Sequence, residues 1–478
     1  MNKKILSLSL TLLLSACSLA PDFVMPETPV TDKYKSDIAA IEQNGMWAPA
    51  KSLENMDRGE WWKIFDDATL NDLETQASEN NNSLKAAAAN VEQARAIVRS
   101  KAGSFLPKID IGGNAVRAKA SAATSAPFGG TVAENSPYTM YSAQGIASYE
   151  VDLFGRVRDN EAALTLDADG QEALYRGTLL ALQADVAGHY FTLRSLDAER
   201  YLLRKTVVMR EEANRIMEKR FNAGVVGEQD ISRTRSELAT TKAELLILDR
   251  QRATSENALA VLLGQNPSEY IFKEAHNGTK VPKIPAGIPS TLLQRRPDVA
   301  KAQTAMEAAN KRIGVARTAY FPLLNLTASG GYESNELSDL FDWSSRYWAL
   351  GQTAGSALTL AVFDSGRLLA KTDSAKAEYE ASVALYREQV LIAFKEVEDG
   401  LTNQRLLASQ FAQHKIAADS SVRTTELTQK RYDQGDADYF EVVDAQRNSL
   451  AAERASIQAR GQRLIASVGL IRALGGGW

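Results

Sequence analysis

The stretch Tyr141-Ser142-Ala143-Gln144-Gly145-Ile146-Ala147-Ser148-Tyr149-Glu150-Val151-Asp152-Leu153 decides the fold class. Tyr141, Ala143, Gly145, Ala147, Tyr149, Val151 and Leu153 alternate with Ser142, Gln144, Ser148, Glu150 and Asp152, the period of a strand with one apolar and one polar face. Immediately afterwards the period changes. Leu164, Ala168, Tyr175, Leu179, Leu182, Val186, Tyr190 and Leu193 recur in the three- and four-residue steps of a coiled-coil seam. Nothing stops a helix between Gly155 and Phe221, which at the helical rise is about 100 Å. No proline falls between Pro137 and Pro267, and none follows Pro322. Proline breaks helix interiors and central strands, so these gaps permit unusually long elements.

Three more segments share the strand period. Leu324, Leu326, Ala328 and Tyr332 alternate with Asn325, Thr327, Ser329 and Glu333; Trp348, Leu350, Leu358, Leu360 and Val362 oppose Gly351, Thr353, Gly355 and Thr359. Lys108 to Ala118 carries the pattern more weakly. Segments of about ten residues fit barrel strands with one face in lipid and one in a polar lumen. The same alternation also serves a half-buried soluble sheet. Tyr141, Tyr149, Tyr332, Trp343 and Trp348 are candidates for the aromatic girdles of a membrane barrel, and residues 120–136 and 334–346 read as polar outer loops.

The chain is a duplicated unit. Arg220-Phe221-Asn222-Ala223-Gly224 matches Arg431-Tyr432-Asp433-Gln434-Gly435 at an offset of 431 − 220 = 211, and Leu263-Gly264 matches Leu474-Gly475 at the same offset. Leu106-Pro107 matches Phe321-Pro322, and Leu153-Phe154 matches Val362-Phe363. Four strands per chain cannot close a membrane barrel, and an open edge does not survive in lipid. Three chains would supply twelve strands. The expected fold is therefore mixed α and β: a trimeric twelve-stranded outer-membrane β-barrel, continued by a long periplasmic α-helical barrel and built from two internal repeats.

Bulk properties narrow the class. The 478 residues carry a net charge of −4 with acids and bases well mixed, which argues against a nucleic-acid surface. Mean hydropathy is −0.26, and no apolar stretch beyond the N-terminus reaches the length of a spanning helix. The single cysteine, Cys17, follows a basic n-region (Lys3, Lys4) and a short apolar h-region from Ile5 to Leu14. Leu14-Ser15-Ala16-Cys17 reads as a lipobox, with cleavage before Cys17 and acylation of that residue; the plainer reading is an ordinary cleaved signal with an incidental cysteine. Several acyl chains, each buried CH₂ contributing about 0.8 kcal/mol, would anchor the chain durably. His189, His276 and His414 lie far apart, and there is no phosphate-binding loop, zinc-protease helix or dinucleotide fingerprint. Neither an enzyme nor a cofactor is indicated.

The run Ile288-Pro289-Ser290-Thr291-Leu292-Leu293-Gln294-Arg295-Arg296-Pro297-Asp298-Val299 continues through Ala308-Ala309, Ile313-Gly314-Val315-Ala316 and Phe321-Pro322. With Trp61-Trp62, residues 80–84, Arg220-Phe221, Gly224 and Asp444-Ala445-Gln446-Arg447, it resembles the outer membrane factors of the TolC/OprM family, particularly their lipoprotein branch. The resemblance implies a homotrimer in outer membrane lipid with a periplasmic adaptor and an inner-membrane pump of the resistance-nodulation-division class. The chain would be the passive exit duct for drugs and other small toxic compounds; the alternative is the duct of a type I protein secretion system. The expected layout is a signal peptide at 1–16, a lipid-anchored extended segment at 17–60, repeat 1 at 61–270, an equatorial linker at 271–290 and repeat 2 at 291–478. Strands are expected near 108–118, 141–154, 323–333 and 347–363, and long helices over 155–222, 226–263, 366–433 and 438–474.

By the same resemblance, the turns at Gly224 and Gly435 are periplasmic tips. Gly224, Val225, Gly435 and Asp436 take the places of the adaptor contacts. Glu441 and Asp444, three apart and so on one helix face, take those of a pore constriction, although acids at a helix start are also favoured by its dipole. Tyr432 and Asp230 match the two members of a closed-state link, while Ala437 stands where TolC has a linking arginine. Pro297 with Asp298 reads as a helix start that supports the fold.

Overall fold

The computed structural model describes residues 18–27, 35, 60–119, 137–275, 279–282, 284, 295–350 and 358–476. Cys17 and its lipobox, residues 120–136, His276 and residues 288–294 lie outside the described residues. The chain divides into two units, one of Met1–Pro26, Val91–Gly170 and Ala302–Leu385, the other of Glu27–Asn90, Gln171–Lys301 and Tyr386–Trp478.

The first unit contains the sheet. Its strands are β1 (Lys108–Ala118), β2 (Tyr138–Val151), β3 (Leu323–Ser334), β4 (Arg346–Leu350) and β5 (Leu358–Thr359). All pairs are antiparallel in the order β1-β2-β3-β4, and β5 also pairs with β3, so β4 and β5 occupy one row and the sheet is four rows wide. Register carries the alternation across every row. Ile109 lies opposite Ala147, Ala147 opposite Ala328, and Ala328 opposite Leu350. Tyr149 lies opposite Leu326, and Leu324 opposite Leu358. On the other face, Asn114 meets Ser142, Ser142 meets Glu333, and Ser148 meets Thr327. One face is thus apolar and the other polar. The apolar face is open: Ile111 is 89% exposed and Trp348 76%. The loop between β3 and β4, expected to be polar, instead folds into two 3₁₀ turns that expose Leu337, Phe341 and Trp343.

Among the described residues, seven helices accompany these strands: α1 (Ala68–Asn80), α2 (Asn82–Ala102), α3 (Arg156–Asn222), α4 (Glu228–Leu262), α5 (Pro297–Thr318), α6 (Arg367–Gln434) and α7 (Tyr439–Ala473). Glycines with positive φ mark the duplication at the ends of the long helices. Gly155 and Gly366 precede α3 and α6, Gly224 and Gly435 end them, and Gly264 and Gly475 end α4 and α7; each pair is 211 apart (366 − 155, 435 − 224, 475 − 264). Only glycine takes this backbone without penalty. No described helix is long and apolar enough to cross a membrane.

Of the seam expected in α3, Leu182, Val186, Tyr190 and Leu193 are buried, while Tyr175 and Leu179 are half-buried. Farther along, Leu196, Leu203, Leu248 and Leu450 pack together from α3, α4 and α7. Ion pairs flank that packing: Arg200 with Asp249, Arg210 with Glu237, and Arg454 with Glu244.

The two repeats solve one capping problem differently. In repeat 1, Asn81 Nδ2 donates to the Leu262 carbonyl at the end of α4 while its Oδ1 accepts from the Leu84 amide. In repeat 2, buried Arg296 donates to the Ala473 carbonyl at the end of α7 (2.8 Å) and pairs with Asp298 and Glu396. Asp298 in turn accepts from the Val299 amide and from Gln389 Nε2. A cation at a helix C-terminus is favoured by the dipole, and Pro297 occupies the first helical position, where its missing N–H costs nothing. Burial pushes the Asp298 carboxyl up, but the hydrogen bonds and charge of Arg296 outweigh this and hold it below the usual carboxylate range. Its contribution to stability is therefore present above pH about 4 and lost as pH falls below that, through the lowered folded value. Arg296→Ala should cost about 3 kcal/mol, lower the melting temperature in detergent and flatten its acid dependence. Arg296→Lys, lacking the fork, should recover only part. Unchanged melting in Arg296→Ala would remove this node from the account.

Candidate gate at the helix turns

The second unit carries both long-helix turns. At the first, the Gly224 amide donates to the Phe221 carbonyl and the Val225 amide to the Arg220 carbonyl; at the second, Gly435 donates to Tyr432 and Asp436 to Arg431. Both are Schellman closures, which satisfy the last carbonyls of a helix. Val225 is left 63% exposed beside Gly224.

Repeat symmetry places Arg220 and Arg431 at the same position, in the last turns of α3 and α6. Arg431 Nη2 donates to the Asp436 carbonyl, and Nη1 lies 3.1 Å from Glu441 Oε2. Arg220 Nη1 donates to the Tyr432 hydroxyl at 2.8 Å, joining one helical hairpin to the other. The Tyr432 ring also packs on Tyr439, with centroids 5.7 Å apart. A hydrogen bond between Tyr432 and Asp230 is absent among the described residues; Asp230 sits half-buried in the first turn of α4 with its side chain unpartnered there.

Glu441 and Asp444 are both exposed. Asp438 caps α7 by accepting from the Glu441 amide at 2.8 Å, the spacing of a capping box. The Glu441 side chain is drawn to Arg431 instead of back to the cap. Among the described residues Asp444 accepts only from Asn448, 3.2 Å away, and so is the more open of the two carboxylates. Sequence reasoning sought acids and missed the arginines; their shared offset of 211 was the available signal. Phe440, beside Glu441, is stacked under Arg233 at 4.3 Å from guanidinium carbon to ring centroid.

The model of the family "outer membrane efflux protein" matches residues 73–265 and again 288–476, one match for each repeat. The chain belongs to the outer membrane efflux protein family. Among relatives, it is 34% identical over 475 residues to outer membrane protein OprJ of Pseudomonas aeruginosa, covering 99% of this chain and 95% of OprJ. It is 32% identical over 483 residues to the toluene efflux pump outer membrane protein TtgC of Pseudomonas putida, covering 100% and 96%. The solved outer membrane channel CmeC of Campylobacter jejuni superposes with a TM-score of 0.87 at 27% identity, covering 97% of this chain and 95% of CmeC. The mixed α and β fold in two repeats, and the reading as the outer membrane channel of an efflux system, both stand.

Within this efflux protein, Arg220 and Tyr432 form a charge-assisted bond between the two hairpins, of a kind worth about 1.5–3 kcal/mol. Tyr432→Phe removes its acceptor while keeping the ring contact with Tyr439. Amide exchange at residues 220–228 and 432–440 should then quicken, roughly ten- to hundredfold. Unaltered protection would mean that the bond holds nothing.

Proposed function

We propose that three copies of this chain assemble into one duct, each giving four strand rows to a closed barrel in the outer membrane, and that the duct passively exports small toxic compounds. The observation that carries this is the register of the sheet, with an exposed apolar face on one side and a polar face on the other. That arrangement suits lipid outside and water inside. An inner-membrane resistance-nodulation-division pump would deliver the cargo through a periplasmic adaptor. The toluene efflux relative supports apolar, solvent-like cargo. The duct does no chemistry. Acylated Cys17, which uptake of labelled palmitate reads directly, would tether each chain to the outer membrane.

The tips at Gly224, Val225, Gly435 and Asp436 are the proposed adaptor contacts. Glu441 and Asp444 are the proposed constriction, with Arg431 partly neutralising Glu441 so that Asp444 carries most of the free charge. Tyr432, held by Arg220, and Asp230, without a partner among the described residues, are the residues through which the closed state would be linked.

Rings of carboxylates attract cations and bind multivalent ones. Reconstituted in planar bilayers, the wild type should conduct and prefer cations. Glu441→Gln combined with Asp444→Asn should lower that preference and weaken block by multivalent cations. Unchanged selectivity and block would remove these residues from the constriction, and absence of any conductance would overturn the duct itself.

A further inference from the structure

Helix α1 buries Leu70, Leu73, Glu74 and Ala77. The spacing i, i+3, i+4, i+7 is that of an apolar stripe, and Glu74 holds one of its positions. The residue is 0% exposed, and neither Oε1 nor Oε2 has a hydrogen-bond partner among the described residues. One turn earlier on the same helix face, Asn71 Oδ1 is also buried and unpartnered. Three buried acceptor oxygens, on residues three apart along one helix face, thus lack a donor among the described residues. An ionised carboxylate here would be an uncompensated buried charge, whereas a protonated one supplies the missing donor itself.

The ionisable groups on α1 and on the elements packed against it are engaged elsewhere or face solvent. Asp67, the N-cap of α1, accepts from the Tyr190 hydroxyl at 2.6 Å and from Thr279 Oγ1. Lys63 of the preceding 3₁₀ turn pairs with Glu60. On α3, His189 Nδ1 lies 3.1 Å from Ser255 Oγ, and Arg194 stacks over Tyr190 and Phe272. At the end of α4, Gln265, a neutral amide, meets Gln76. Asp72 and Glu79 are exposed.

We propose that Glu74 is a proton-binding site: the folded chain holds it as a neutral carboxylic acid, with Asn71 Oδ1 as the unclaimed acceptor one turn away, and unfolding releases the proton. Burial alone pushes this carboxyl up from the usual carboxylate range to about 9. The direction of the linkage follows. The stability that proton binding confers is fully present below the unfolded value and is lost as pH rises through the folded one. Between them the folded-to-unfolded ratio falls roughly tenfold per pH unit from this group. The second unit, which carries both hairpin turns, is thereby made less stable at alkaline pH.

The test is thermal melting of the full-length protein in detergent from pH 5 to 10, wild type against Glu74→Gln, an uncharged isostere of the protonated acid. The two should melt together at pH 5, separate progressively up to about pH 9 with the variant the more stable, and then run parallel. A difference that stays constant with pH overturns the proposal. A second measurement needs no variant. The infrared carbonyl band of a protonated carboxylic acid should persist in the wild type at pH 7 and titrate away near pH 9. Its absence at pH 7 overturns the proposal whether or not Glu74→Gln folds.

Discussion

A β-sheet in lipid has no water to satisfy the backbone groups along its edges, and each one left open costs several kcal/mol. The sheet of this chain has two such edges, the outer sides of β1 and of the row shared by β4 and β5. Its apolar face, with Ile111 and Trp348 at those two rows, is left exposed among the described residues. The alternation of side chains therefore has a purpose only if the edges meet those of other chains. The proposed trimer, the water-filled interior and the need for a gate all descend from this constraint. A closed barrel filled with water leaks unless another part of the protein shuts it.

Duplication gives the proposed gate paired parts. The glycine turns recur at a fixed offset and close their helices by the same two hydrogen bonds, so each hairpin is built alike. What differs between repeats is the polar chemistry laid over the shared backbone. Asn81 caps one helix end where Arg296, Asp298 and Glu396 cap the other. Likewise Arg220 reaches across to Tyr432, while Arg431 stays within its own turn and holds Glu441. Divergence of this kind gives two similar halves unequal roles in one hairpin pair.

Much of the fold was legible because long regular elements write their period into the chain. The helices were visible through the proline gaps, and β2 and β3 through their alternation. The strand from Lys108 to Ala118 was faint, since Gly113 and Arg117 interrupt its apolar face and Val116 stands on its polar one; pairing with β2 along its whole length supplies the order that its side chains do not. The proposed gate was legible only in part. Acids at a helix start can be read from sequence, but their partners cannot: Arg431 is ten residues from Glu441, and Arg220 is 212 from Tyr432. Glu74 was invisible for the opposite reason, being a polar residue in a position whose spacing announces an apolar one. Long-range polar contacts depend on which helices meet, and periodicity carries no record of that.

The central claim is that the barrel closes only between chains. Native mass measurement of the protein extracted in mild detergent, combined with disulfide trapping between cysteines placed at Ile111 on β1 and Trp348 on β4, tests it most directly. The account gives a particle of three mature chains, with the two edges cross-linked from one chain to the next. A single chain that conducts ions, or edge cysteines that link only within their own chain, would contradict it.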